Sequence, residues 1–170
     1  HGEAKTEEWL KGVKANLARK PQGNDRAQVK AIWQGECDLS IGNTYYMGKM
    51  ETNEKEPEQK DWAASVRILF PNSADRGSHV NLAGIVLAKH APNKDNGVKL
   101  IEFLTSGKAQ EIYAETNFEY PVTPGVEVSD RVKKWGELKP DALSLAEIAK
   151  NRKTASELVD KVGFDDGPSS

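Results

Sequence analysis

The sequence predicts an α/β domain, and three observations carry that prediction. Apolar residues recur at three- and four-residue spacing over 3–18 and 95–105, the signature of helices with one buried face. They alternate with other residues over 37–41 and 66–70, the period of a strand with one buried face. The run Val80-Asn-Leu-Ala-Gly-Ile-Val-Leu-Ala88 is almost continuously apolar, as a strand covered on both faces would be.

In chain order, the first helix runs from Glu3 to Ala18, with Trp9, Leu10, Val13 and Leu17 on one face. Lys11, Lys14 and Arg19 crowd its later turns, where cations suit the helix dipole. Lys20-Pro21-Gln22-Gly23 stops it. Asn24 or Asp25 caps a second helix carrying Ala27, Ile32 and Trp33, with Gln28 at an approximate capping-box distance. Gly35 ends that helix. Cys37, Leu39 and Ile41 then form the half-buried face of a strand that Gly42-Asn43 breaks. Thr44 can cap a following helix that carries Tyr46, Met47 and Met50.

The Glu- and Lys-rich stretch Glu51–Lys60 reads as an exposed helix end or loop. Val66, Ile68 and Phe70 form a strand ended by Pro71, and 72–78 is a polar loop. The buried strand 80–88 follows, with Gly84 as a bulge or close approach. Two helices come next. Over Asp95–Thr105 the face is Val98, Ile101 and Leu104, widened by Leu100 and Phe103, and over Lys108–Asn117 it is Ala109, Ile112 and Tyr113. Phe118–Gly125 is extended, because each proline pushes its predecessor out of helical geometry. Helices at Leu143–Lys150 and Thr154–Val162 close the chain, with a frayed tail from Gly163. The first helix has no strand before it, and no repeat is visible. The absence of an opening β-α unit leads us to expect a missing N-terminal part.

Composition bounds the function. The chain of 170 residues can bury one sizeable core, and 24 Lys and Arg against 26 Asp and Glu leave a net charge of −2. That balance gives no electrostatic case for nucleic acid. No run approaches a membrane span, and no signal peptide opens the chain; starting at His1 without Met, it reads as a processed product or fragment. Cys37, the single cysteine, reads as a small buried hydrophobe and excludes an internal disulfide or a CxxC metal knuckle.

Two adjacent phenols at Tyr45 and Tyr46 sit where a strand ends and a helix begins, the crevice in which open α/β sheets bind ligands. They are either core packing or a hard-metal site. A phenol is normally protonated, but a trivalent cation stabilises the phenolate, and this hard oxygen donor suits Fe(III) better than Cu(I) or Zn. Asn43 beside them, and Asn24 and Asp25 at a helix start, are cap or turn residues or, together, a cradle for a small anion completing a metal's coordination. His1 and His90 read as exposed, and His79 as structural. The sequence contains no HExxH, GxSxG, Walker loop or GxGxxG, and Ser73, Ser78 and His79 alone make no triad, so the chain reads as a non-enzyme.

Three stretches carry a resemblance. Asn16-Leu-Ala-Arg-Lys-Pro-Gln-Gly-Asn-Asp-Arg26, Gly35-Glu-Cys-Asp-Leu-Ser-Ile-Gly-Asn-Thr-Tyr-Tyr46 and Arg76-Gly-Ser-His-Val-Asn-Leu-Ala-Gly84 resemble the periplasmic ferric-ion-binding proteins, the bacterial transferrins that feed iron ABC importers. The helix around Phe103-Leu-Thr-Ser is also similar. The likeness runs over nearly the whole chain, and Asn43-Thr-Tyr-Tyr46 is its most specific part.

The resemblance implies the type II periplasmic-binding-protein fold, two α/β lobes joined by hinge strands, of which only the C-terminal part is present here. It implies 1–75 as a part of the C-terminal lobe carrying the tyrosines and 76–126 as a segment given to the N-terminal lobe. It makes 127–170 the closing helices, with hinge crossings near Pro71–Asp75 and Pro121–Gly125. Tyr45 and Tyr46 would be phenolate ligands of Fe(III), and Asn43 with Asn24 or Asp25 would contact a synergistic phosphate or carbonate. The implied setting is the periplasm. The implied partners are an inner-membrane ABC permease and the missing N-terminal part of the same protein, which would supply the remaining ligands. The rival readings are a periplasmic binding protein for an anion, polyamine or sugar, and a small hydrolase using Ser78 and His79.

Overall fold

A computed structural model describes residues 1–168 of the chain. In order, its helices are α1 (Glu3–Ala15), α2 (Asp25–Trp33), α3 (Tyr45–Glu51), α4 (Glu58–Ala64), α5 (Lys94–Leu104), α6 (Gly107–Asn117), α7 (Asp130–Lys133), α8 (Leu145–Lys150) and α9 (Arg152–Val162). A 3-10 turn, Phe164–Asp166, follows. The chain divides into two compact units, one made of His1–Ser40 and the stretch from Ala142 onward, the other of Ile41–Asp141.

In the first unit α1 packs on α9, burying Leu10 and Leu158. Two lysines tie the pair. Lys14 Nζ donates to the Val162 carbonyl at 3.0 Å, meeting a C-terminal carbonyl of α9 that has no partner within the helix. Lys161 Nζ donates to Glu7 at 2.7 Å, and Lys11 reaches the same carboxylate at 2.7 Å. Gly163 ends α9 in the left-handed conformation (φ 59°), which costs glycine nothing. The chain then turns through the 3-10 segment against α1 and α9 instead of fraying at Gly163. The last two residues of the expected tail lie outside the described residues. Asn24 is the cap of α2, its Oδ1 accepting from the Ala27 N–H at 3.1 Å. Gln28 donates instead to the Gln22 carbonyl at 2.6 Å, so no reciprocal capping box forms.

In the second unit α3 packs against α4 and α6, and α5 against α6. Met50 is fully buried, with Ala63, Ala109, Ala114, Phe118 and Val132 around the core. Gln110 is buried too, and both ends of its amide are used: Nε2 donates to the Leu104 carbonyl at 2.8 Å and Oε1 accepts from the Val122 N–H at 2.9 Å. A buried amide must be so paired. Its burial turns α6 so that Ala109, Gln110 and Ala114 face inward, while Ile112, expected inside, is 49% exposed. Val98, Leu100 and Phe103 of α5 are exposed likewise.

The expected strands are the main correction. Among the described residues the only β-pairing is one isolated parallel bridge, Ser78 with Pro140, in which the Ser78 N–H donates to the Lys139 carbonyl and the Asp141 N–H to the Ser78 carbonyl, each at 2.8 Å. Over 66–70 burial does alternate: Val66, Ile68 and Phe70 are half-buried, while Arg67 and Leu69 are exposed. The face is right and the ladder is absent. Leu39 and Ile41 are exposed, Cys37 is half-buried, and Val86 in the stretch expected to be buried on both faces is 89% exposed. Side-chain pattern selects a face, whereas a strand also needs a neighbour for its N–H and C=O groups. No described residue supplies that neighbour.

Candidate functional site

The Tyr45–Tyr46 pair opens α3. Its first turn is tight: the Tyr46 N–H donates to the Asn43 carbonyl at 3.2 Å and the Met47 N–H to the Thr44 carbonyl at 3.0 Å. Thr44 has helical angles (φ −60°, ψ −33°) and no capping bond from its side chain, contrary to expectation. Successive side chains on a regular helix point about 100° apart. The two rings nevertheless meet, with centroids 4.5 Å apart and planes tilted by 35°. Both tyrosines are half-buried, outside the core that holds Met50.

The far face of α3 is fixed from two directions. Gly48 lies against Phe118, which ends α6 in the left-handed conformation (φ 60°, ψ 33°) rarely held by an aromatic residue. Arg131 of α7 donates to Glu51 at 2.6 Å, and its guanidinium sits 5.9 Å from the Phe118 ring centroid. On the site side, Lys49 Nζ lies 5.2 Å from the Tyr45 ring centroid. The tyrosines thus project from a short helix that its neighbours hold in place.

Asn43, Tyr45 and Tyr46 stand together at one turn of the second unit. Asn24 and Asp25 open α2 in the first unit, with the Asn24 side-chain oxygen engaged as a cap. Among the described residues no group of three or more His, Cys, Asp or Glu could hold a metal ion. Ser78 is buried with its hydroxyl donating to the Pro71 carbonyl at 2.6 Å, while His79 is exposed. That hydroxyl is committed to the backbone, and no contact joins it to His79 among the described hydrogen bonds. Among the described residues no helix is long and apolar enough to cross a membrane.

The model of the family described as bacterial extracellular solute-binding protein matches residues 2–140. The chain belongs to that family. This solute-binding chain is 44% identical to the iron uptake protein A1 of Synechocystis sp. over 163 residues, 96% of this chain and 45% of that protein. It is similar to the crystal structure of the apo ferric ion-binding protein A of Pasteurella haemolytica, with a TM-score of 0.91, 56% identity and coverage of 97% of this chain and 51% of that one. It is similar as well to a Trichodesmium protein solved with iron and citrate ligands, with a TM-score of 0.90, 40% identity and coverage of 96% and 52%. The chain therefore has the type II periplasmic-binding-protein fold over the portion it contains, and it spans about half the length of the relatives it matches.

Sequence reasoning missed Lys49, Phe118 and Arg131. Lys49 stands four positions after Tyr45, a helical neighbour that spacing alone could have flagged. Phe118 and Arg131 carry no local signal, because their partners lie 70 and 80 residues away.

Proposed function

We propose that this chain is the C-terminal part of a periplasmic carrier of Fe(III), with Tyr45 and Tyr46 as phenolate ligands. The observation that carries the reading is the contact between the two rings at the start of a braced helix. In a solute-binding family whose similar members are named for ferric iron, paired phenols are the donors that Fe(III) prefers. Asn43 is one candidate contact for a synergistic anion, phosphate or carbonate, and Asn24 or Asp25 is another. The citrate bound with iron in the Trichodesmium relative makes a small carboxylate a third candidate.

The remaining ligands would come from the N-terminal part of the same protein. Residues 76–126 would contribute to the N-terminal lobe, with 1–75 and 127–170 forming the C-terminal one. Hinge closure would bury the ion, and the closed form would dock on an inner-membrane ABC permease. The protein would carry its cargo without transforming it.

The test is iron loading of the full-length protein. Fe(III) should give a phenolate-to-iron band in the visible, and Tyr45→Phe and Tyr46→Phe should each weaken the band and the retention of iron against a chelator. Unchanged retention in both variants would sink the proposal. Calorimetry with a polyamine, a sugar or a free anion tests the non-metal alternative, which predicts heat from one of these solutes and no visible band.

A further inference from the structure

We propose that Lys49 is a positioning residue for the tyrosine pair, an inference that rests on the iron-binding reading above. On a helix, long side chains lean back toward the N-terminus, so a lysine four residues on reaches over the residue before it. Lys49 does so: its ammonium lies 5.2 Å from the Tyr45 ring centroid, within cation–π range. The Tyr45 ring in turn rests against that of Tyr46, with 4.5 Å between centroids. Lysine, Tyr45 and Tyr46 therefore form one chain of contacts along the open end of α3.

The other ionic contacts of this unit point elsewhere. Arg131 pairs with Glu51 and Lys133 with Glu127 and Asp130, whereas Lys49 forms no ion pair with a described carboxylate. Its charge stays beside the aromatic pair and is not spent on a salt bridge. A ring in contact with both a cation and its neighbour has fewer orientations before the ion arrives. Less ordering is then required when iron binds, which is how preorganisation strengthens a site.

The experiment uses the full-length protein with Lys49→Met, which keeps the aliphatic stem and removes the charge, and Lys49→Arg, which restores a cation. Near-ultraviolet circular dichroism of the metal-free protein reads the packing of the tyrosines, and transfer of Fe(III) to excess EDTA reads the grip on iron. Lys49→Met should change the tyrosine dichroism and speed iron release about 2- to 10-fold, while Lys49→Arg should stay within about twofold of the parent. The thermal midpoint serves as the control for folding and should hold in both variants. Parent-like dichroism and release in Lys49→Met would overturn the proposal, as would an arginine variant as impaired as the methionine one. Failure of the underlying reading is distinguishable: Tyr45→Phe and Tyr46→Phe would then hold iron like the parent whatever Lys49 does.

Discussion

The ring of Phe118 lies so close to the backbone of Gly48 that a Cβ on Gly48 would fall 2.3 Å from its Cγ. Seventy residues separate the two in sequence, and their contact sets how deeply α3 seats against α6. Glycine is needed here for want of space; its helical angles would suit any residue.

Gly48→Ala should therefore destabilise the protein by about 1–3 kcal/mol, the usual range for overpacking a filled site. Phe118→Ala should cost about 3–5 kcal/mol by leaving a cavity. The double variant should cost less than the two together, since removing the ring removes the clash. Urea unfolding of the four proteins measures the coupling, and strict additivity would refute the contact.

Arg131 and Glu51 brace the same helix at a 2.6 Å separation, with side chains 40% and 25% exposed. At that exposure the pair contributes at most about 1 kcal/mol. Glu51→Gln should lose up to that amount in denaturant unfolding, less at high salt because exposed charges are screened.

The Glu7 carboxyl is held down to about 2 from the ordinary 4.5, by its hydrogen bond from Lys11 first and then by that from Lys161. A depressed carboxylate contributes stability above its unfolded pKa and loses it as the folded form protonates. The stability gap between the parent and Glu7→Gln should be full above pH 4.5, shrink below it and close near pH 2. Thermal melts across that window check the sign. A gap that widens on acidification would contradict it.

Val86 is 89% exposed in an apolar stretch without ladder partners. Bare strand-forming segments invite pairing between chains. In the 170-residue chain, Val86→Lys should change stability by less than about 0.5 kcal/mol while lowering self-association in light scattering. Equal scattering from both chains would show that this stretch drives no association.

Local chemistry made much of the molecule readable. The helices at Glu3, Asp25, Lys94 and Gly107 begin within a residue of where apolar spacing places them, and the Asn24 cap of α2 was legible too, because capping and amphipathic burial act within a turn or two. Short α4 and α7 escaped notice: α4 begins inside a stretch dominated by Glu and Lys, and α7 is a single turn. The tyrosine pair was legible as a motif, and its adjacency is written in the chain.

By itself the sequence determined which residues could become helical, which faces were apolar and which two phenols stood side by side. Only the tertiary structure decided that the rings of Tyr45 and Tyr46 would touch and that Phe118 and Arg131 would hold their helix from behind. It also decided that 37–41, 66–70 and 80–88 would stay unpaired. The physical reason is range: propensity and capping act between near neighbours in the chain, whereas a strand ladder or a packed ring needs a partner that only the folded chain can bring.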